Sequence, residues 1–182
     1  MTIYHFIQYC FFGFGVYNLT YIILKKSKKL QEKIKFPEID KAAITTVLIC
    51  GAVYLTNWIY DWVIILNNRE SESSIAVFER LDGPYGFSVY FQQVLYLSAC
   101  FCFLLKFVRK YLILRFFIGF LFLFNLERFV IIITSLHRDY LPSSWTMYQN
   151  DYHWLIIDWL VKTIIFISFT TITYFIQNHN KS

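Results

Sequence analysis

The chain has 182 residues, of which 57% are hydrophobic and 16% are charged, and its mean hydropathy is +0.47. A soluble domain is about half apolar and a quarter charged, so this composition is typical of a membrane protein and excludes a sizeable soluble core. The formal net charge is +5, and most of the cations lie in a few short segments between apolar stretches.

Five apolar stretches account for the high hydropathy, and each is close to the roughly 20 residues that cross a bilayer as a helix. We predict membrane spans over residues 3–24, 42–66, 87–107, 112–136 and 154–176. The predicted fold is therefore an all-α, single-domain polytopic bundle over residues 1–182, with about five transmembrane helices. A four-span alternative, in which the first stretch lies in the membrane interface, stays open because Gly13 and Gly15 loosen that helix.

The positions of the cations predict how these spans are oriented. Residues 25–41, residues 106–115 and the C-terminal tail together hold 12 of the 17 Lys and Arg residues. Under the positive-inside rule these segments are cytoplasmic, which predicts an N-terminus outside, a cytoplasmic C-terminus and an odd number of spans. No small-residue cleavage pattern ends the first stretch, so we interpret it as a retained span and not as a signal peptide.

The most basic segment is 25–41, which is predicted to be cytoplasmic. In one interpretation its lysines set the topology and lie near anionic lipid headgroups, where each cation contributes about 1 kcal/mol. In the other it docks a cytoplasmic protein or an RNA, although Lys runs without interleaved aromatic residues are poor base readers. The candidate partner-binding residues are Lys25, Lys26, Lys28, Lys29, Lys33 and Lys35.

The second and third spans become polar toward their predicted outer ends. Asn57 and Asp61 lie near the end of the second span, and Gln92 and Gln93 lie at the same level of the third. In the connection between these spans, a turn signal follows residues 74–81, which we predict to form a short surface helix.

Polar and ionisable residues also interrupt the fourth span. Glu127 lies nine residues before Leu136, hence about 14 Å deep and close to the midplane. The fifth span supplies Asp158 and Lys162, spaced i,i+4 on one helix face. Because isolated charges in hydrocarbon are very costly, we predict one polar network in the outer half of the bundle. Its members are Asn57, Asp61, Gln92, Gln93, Asn125, Glu127, Arg128, Asp158 and Lys162.

This predicted network has two interpretations. As structural glue, its polar side chains hold the helices in register, at about 0.6 to 2 kcal/mol per contact. As a functional site, it lines an ion or solute path, or a ligand pocket that opens to the outside. The mixed signs of its charges argue against a simple cation or anion filter.

A second candidate site brackets the last outer loop, which His137 and Asp139 precede and Asp151 and His153 follow. Two His and two carboxylates that a loop brings together suit zinc or another divalent metal. In the opposing interpretation these are ordinary residues of the membrane interface, because no recognised zinc signature is matched.

Enzyme motifs are absent from the sequence, which contains no G-x-S-x-G, Walker A, Gly-rich dinucleotide turn or H-E-x-x-H. We therefore expect no catalytic residue and no cofactor. The four Cys residues all fall inside spans, and we interpret them as small buried apolar residues. The expected function is that of a non-catalytic accessory, regulatory or pore-forming membrane protein. The alternative is a small transporter, channel or membrane-embedded enzyme that uses the polar network.

The size of the chain, its several spans, its lack of enzyme motifs and its bias toward Phe, Tyr, Ile, Lys and Asn together carry a resemblance. In these respects it resembles the small multi-pass membrane accessory proteins encoded beside type VI-B CRISPR RNA-guided ribonucleases. The resemblance implies a non-catalytic modulator of antiviral RNA interference at the bacterial inner membrane, with residues 25–41 as its cytoplasmic contact. It transfers no functional residue. Homo-oligomerisation stays open, since no GxxxG seam decides it.

Overall fold

A computed structural model describes residues 3–26, 35–83, 86–123 and 152–179, and these residues form helices and no strands. In chain order the helices are α1 (Ile3–Lys26), α2 (Phe36–Asn67), α3 (Glu72–Asp82), α4 (Ser88–Cys102), α5 (Lys106–Lys110), α6 (Leu112–Leu123) and α7 (Tyr152–His179). The predicted all-α class is confirmed for the described part of the chain.

Three helices are long and apolar enough to cross a membrane, over Ile3–Lys25, Phe36–Asn67 and Ile156–His179. The longest, α2, has 32 residues and rises about 48 Å, well beyond a hydrocarbon core of roughly 30 Å. By contrast, α4 has 15 residues and α6 is described over 12. The structure is therefore compatible with a membrane protein, while the count of five spans stays a prediction.

The first helix occupies the centre of the described bundle, where it packs against α2, α6 and α7. Phe14 is fully buried, and its ring contacts Phe103, Phe122 and Phe166 at centroid distances of 4.9, 5.8 and 5.8 Å. Edge-to-face packing of this kind adds to the free energy that simple burial provides. Because α1 packs against three other helices, it is a core element of the described bundle. Gly13 and Gly15 do not prevent this packing.

Local signals explain where α2 and α3 begin. Lys35, which precedes α2, has a left-handed backbone with φ 43° and ψ 46°, and Pro37 fits the first helical turn because its missing N–H has no partner there. Ser71 caps α3 by accepting a hydrogen bond from the backbone N–H of Ser74 at 3.3 Å. The surface helix predicted over residues 74–81 is thus confirmed within α3.

The third predicted span, residues 87–107, contains a shorter helix than expected. α4 ends at Cys102, and the next residues turn before α5 begins at Lys106. Arg109 stabilises the turn after this end, because its guanidinium donates to the carbonyl oxygens of Phe103 and Leu104, which directly follow Cys102. A cation that satisfies the last carbonyls stabilises a helix C-terminus.

The described bundle has two ends, which we name after one residue in each. The Arg115 end contains the last turns of α1 and α7 and the first turns of α2 and α6. The Trp58 end contains the first turns of α1, α4 and α7 and the last turns of α2. At the Arg115 end, hydrogen bonds connect the helices. At the Trp58 end, ring contacts connect them, and a groove lies between α2 and α4.

Candidate functional site

Arg115 lies near the start of α6 among apolar residues, and its side chain is 0% exposed. Its Nη1 donates to Oδ2 of Asp40 at 3.1 Å, and its Nη2 donates to Oδ1 of Asp40 at 2.6 Å. A guanidinium and a carboxylate pair most strongly in this bidentate arrangement. The ion pair therefore joins α6 to α2 across 75 residues of sequence.

Two residues of α1 complete the surroundings of the guanidinium. Arg115 Nε donates to Oδ1 of Asn18 at 3.1 Å, and Asn18 Nδ2 donates to the Phe14 carbonyl at 3.2 Å. The Tyr21 ring stacks on the guanidinium, with its centroid 3.6 Å from Cζ, which is a cation–π contact. Each of the three guanidinium nitrogens thus donates a hydrogen bond.

The carboxylate of Asp40 has a further partner, because the hydroxyl of Tyr17 donates to its Oδ1 at 2.9 Å. We call Tyr17, Asn18, Tyr21, Asp40 and Arg115 the Arg115 cluster. Buried charges are tolerated when they are paired and hydrogen-bonded, and this cluster meets both conditions. Its groups bind one another, so the arrangement joins three helices.

Two glycines let α1 and α6 approach closely beside this cluster. A Cβ at Gly119 would lie 2.8 Å from Cβ of Asn18, and a Cβ at Gly15 would lie 2.8 Å from the Gly119 carbonyl oxygen. Small residues allow such close approach between membrane helices. Gly15, which weakens α1 as an isolated helix, is therefore a contact point in the bundle.

A second set of hydrogen bonds joins α2 to α7 at the same end. Thr46 donates to Thr173 across the two helices at 2.9 Å. The Tyr174 hydroxyl donates to Glu38 at 3.2 Å, and the Gln177 side chain donates to Thr45 at 2.9 Å. At the Arg115 end, polar side chains thus link α2 to α7 as well as to α1 and α6.

At the Trp58 end the structure brings Asp158 and Lys162 together, as their i,i+4 spacing predicts. Lys162 Nζ donates to Oδ2 of Asp158, and the two side chains are 20% (Lys162) and 43% (Asp158) exposed. The same Nζ lies 5.2 Å from the ring centroid of Tyr9 and 5.3 Å from that of Phe12. The ion pair is internal to α7, and only the ring contacts reach α1.

The remaining described members of the predicted network make separate contacts. Gln92 hydrogen-bonds within its own helix, and the exposed Asp61 carboxylate interacts with the Tyr4 hydroxyl of α1. Nδ2 of Asn57 and Oε1 of Gln93 are buried and have no hydrogen-bond partner among the described residues. Whether these side chains act as one network with the fourth span stays a prediction.

Several predicted site residues lie outside the described residues. They are Asn125, Glu127 and Arg128 of the polar network, His137, Asp139 and Asp151 of the metal site, and Lys28, Lys29 and Lys33 of the basic segment. His153 and Lys26 fall in helices of which only the backbone is described at those positions. Within the described ranges, no three His, Cys, Asp or Glu residues are grouped to hold a metal ion.

An apolar groove of about 450 Å³ runs between α2 and α4 at the Trp58 end. Trp58, Trp62 and Leu66 line one side, and Tyr90 and Val94 line the other. Its volume is in the range of small-molecule sites, but such sites also carry a few convergent polar groups, which this lining lacks.

Comparison with known proteins gives no relative: no family model, no curated protein and no solved structure matches this chain. The contacts within the bundle therefore carry the functional argument.

The sequence reasoning missed the Arg115 cluster because it counted Arg115 as a cation of the connection before the fourth span. Two signals point to the cluster in retrospect. Arg115 is followed by nine residues that are all apolar or Gly, and Asp40 is an acid near Lys35 and Lys41 in the most basic segment. An isolated charge at the start of an apolar helix needs a partner, and an acid at the same level of another helix supplies one.

Proposed function

We propose that this protein is a non-catalytic accessory protein of the bacterial inner membrane, which holds residues 25–41 at the cytoplasmic face for contact with an acidic partner protein. The proposed topology has five spans, an outer N-terminus and a cytoplasmic C-terminus. It rests on the distribution of Lys and Arg along the chain.

One observation carries this proposal: the Arg115 cluster joins the helix that precedes the basic segment to the helix that follows it. Tyr17, Asn18 and Tyr21 belong to α1, Asp40 belongs to α2, and Arg115 contacts both groups. The cluster thereby fixes the distance between the two ends of the segment. The exposed side chain of Lys25 lies at one end of the segment, and that of Lys35 directly precedes α2.

A protein partner is favoured over RNA by the composition of the segment. Residues 25–41 contain seven Lys, no Arg and one aromatic residue. Single-stranded nucleic acid binding relies on aromatic stacking as well as on cations, whereas an acidic protein surface requires only the positive field. By resemblance, we propose that the partner belongs to an antiviral RNA-guided ribonuclease system.

Charge reversal tests this proposal. Lys25→Glu combined with Lys35→Glu is expected to reduce phage protection, or RNA cleavage by the effector, at least tenfold in cells that express both proteins. The matched control is Arg69→Glu with Arg80→Glu, which reverses two cations near α3 and should leave protection unchanged. Equal protection by wild type and by the Lys25/Lys35 variant, at equal membrane levels, refutes the proposal. Loss of RNA crosslinking to the membrane protein in this variant would assign RNA as the partner instead.

A small transporter or channel is the second candidate, and one observation favours it. Asn57 and Gln93 bury amide atoms without a described hydrogen-bond partner, and such atoms in native structures call for an explanation. Solute or ion flux in proteoliposomes tests this function. Flux that Asn57→Leu and Gln93→Leu abolish would support it, and no flux with the wild-type protein would exclude it for the solutes used.

A further inference from the structure

The connection between α4 and α6 exposes large apolar side chains and cations next to one another. We call residues 103–111, which include α5, the α5 turn. Leu104 and Phe107 are 58% and 60% exposed, and the side chains of Lys106 and Lys110 are exposed as well. This mixture is typical of a membrane interface, where apolar side chains enter the hydrocarbon and long cationic side chains reach the headgroups.

Helical geometry places the two lysines together on the outer face of α5. Val108 is two residues from each lysine, so it points about 160° away from both, toward the core in which it is buried. Lys106 and Lys110 are spaced i,i+4, and like charges at this spacing repel each other. Among the described residues, neither lysine forms an ion pair. An anion bound between them would remove this repulsion.

Arg109 holds the backbone that carries these lysines. Its guanidinium donates to the carbonyl oxygens of Phe103 and Leu104, and its own backbone N–H donates to the carbonyl of Leu105. The third cation of α5 is therefore used inside the turn, and it fixes the segment from which Lys106 and Lys110 project. Groups held in place before a ligand arrives lose less conformational entropy when they bind it.

The level of the α5 turn corresponds to a boundary of the hydrocarbon core. Lys41 and Asp61 of α2 are 20 residues apart in sequence, which corresponds to about 30 Å of helix, the thickness of that core. Asp40, next to Lys41, pairs with Arg115. Cζ of Arg115 lies 5.7 Å from the ring centroid of Phe103, the first residue of the turn. The turn thus lies near the level at which charged residues of α2 give way to an apolar run.

An exposed apolar face of α6 begins directly after the turn. Ile113, Phe117 and Phe120 are 71%, 60% and 50% exposed, and their spacing of four and three residues places them on one face of the helix. Arg115 and Gly119 lie on the other side of α6, where they meet α1. The exposed face runs from the level of the two lysines into the apolar part of the bundle. A lipid whose headgroup meets the lysines can therefore lay an acyl chain along it.

We propose that the α5 turn and α6 form a binding site for an anionic phospholipid. The lipid phosphate binds between Lys106 and Lys110, and an acyl chain lies along Ile113, Phe117 and Phe120. Charge complementarity selects an anionic lipid over a zwitterionic one, because the headgroup of the latter brings its own cation to the two lysines. The site is independent of the function proposed above, since it uses no lysine of the basic segment.

The test titrates the full chain in detergent micelles with dioleoyl phosphatidylglycerol and, separately, with dioleoyl phosphatidylcholine, which has the same acyl chains and no net charge. Native mass spectrometry counts the bound lipids. We expect the anionic lipid to bind at least about tenfold more tightly, and Lys106→Gln with Lys110→Gln to abolish this difference. Lys106→Arg with Lys110→Arg should retain it. The matched control, Lys25→Gln with Lys35→Gln, removes two cations at the same end and should leave the affinity unchanged.

A short-chain lipid tests the role of α6. Dihexanoyl phosphatidylglycerol carries the same headgroup on shorter chains, which bury less apolar surface along Ile113, Phe117 and Phe120. We expect it to bind at least about tenfold more weakly than the dioleoyl lipid. Equal affinities would show that the phosphate alone is recognised, and would overturn the proposed site.

The proposal also fails if the anionic and zwitterionic lipids bind equally to the wild-type protein, or if the Lys25/Lys35 control loses as much affinity as the Lys106/Lys110 variant. A dimer that Phe117→Ser dissociates would show that a second copy of the chain covers α6 instead. Variants are compared only after size-exclusion chromatography shows one monodisperse peak. Should the double Gln variant fail to fold, Lys106→Gln and Lys110→Gln alone decide, since each should weaken binding of the anionic lipid at least about threefold.

Discussion

The two ends of the bundle treat their charges in different ways. At the Arg115 end, a fully buried guanidinium on α6 pairs with Asp40 of α2 and hydrogen-bonds to Asn18 of α1. At the Trp58 end, Lys162 and Asp158 pair within α7 and both side chains reach the surface of the chain. The first pair fixes the positions of three helices relative to one another, whereas the second pair leaves the helix positions to apolar and ring contacts.

This difference teaches that a charge joins helices when it is itself buried and its partner comes from another helix, as Arg115 and Asp40 show. Removing one member of such a pair leaves an uncompensated charge in a medium of low dielectric constant. Removing one member of a partly exposed i,i+4 pair leaves a charge that the interface can solvate. Stability measurements can therefore rank the two ends.

The largest effect is expected from Arg115→Leu, which leaves the Asp40 carboxylate, whose side chain is 18% exposed, without its cation. We expect the free energy of unfolding to fall by about 3 kcal/mol, the lower end of what breaking a buried ion pair costs, because the carboxylate keeps some contact with solvent. Denaturant titration of the purified protein in detergent micelles measures this change.

The double variant Arg115→Leu, Asp40→Leu is the matched control for that experiment. Because no unpaired charge stays buried, most of the lost stability should return. A double variant as unstable as the single one would show that apolar residues cannot replace the pair at this position, and would contradict the account given for the Arg115 end.

A smaller effect is expected from Gly119→Ala, where the added Cβ would meet Cβ of Asn18 at 2.8 Å. Overpacking of this kind typically costs about 1–3 kcal/mol, and here it displaces an acceptor of Arg115. Gly83→Ala, near the Trp58 end, meets its nearest atom at 3.3 Å and should change stability by no more than about 0.5 kcal/mol. Equal losses for the two variants, measured by the same titration, would remove the distinction between the ends.

At the Trp58 end, Lys162→Met is expected to lower the free energy of unfolding by less than about 1 kcal/mol, because the pair is partly exposed and lies within one helix. Asp158→Asn should behave in the same way. A loss as large as that of Arg115→Leu would show that this pair also ties helices together, through Tyr9 and Phe12.

The smallest effect is expected from Thr46→Val, which removes the hydrogen bond to Thr173 between α2 and α7. Hydrogen bonds between membrane helices contribute about 0.6 kcal/mol on average. Thr56→Val serves as the control, since Thr56 is exposed and donates only to the Ala52 carbonyl of its own helix. In thermal unfolding, the Thr46→Val variant should have a lower midpoint temperature than the Thr56→Val variant.

Periodicity and hydropathy predicted those parts of the molecule that depend on local sequence. The apolar stretches predicted the helices, and the i,i+4 spacing of Asp158 and Lys162 placed both on one helix face, where the structure pairs them. The turn signal that follows residues 74–81 contributed to the prediction of α3. These inferences use only neighbours along the chain.

The Arg115 cluster could not be derived in this way, because its members come from three helices whose mutual rotation the sequence does not encode locally. Arg115 and Asn18 are separated by 97 residues. The count of cations for the topology assigned Arg115 to the connection of residues 106–115, although the structure places it inside α6. A search for an opposite charge at the same level as each charge next to an apolar run would have paired Asp40 with Arg115.

The separation of Asp40 from Arg115 also has a consequence in time. Arg115 is synthesised 75 residues after Asp40, and at about 5–20 residues per second the ribosome needs roughly 4–15 s to reach it. During that interval α1 and α2 exist without the guanidinium that later joins them, and the cations nearest to Asp40 in sequence are Lys35 and Lys41. The arrival of α6 is thus the event that gives Asp40 its guanidinium partner and completes the Arg115 cluster.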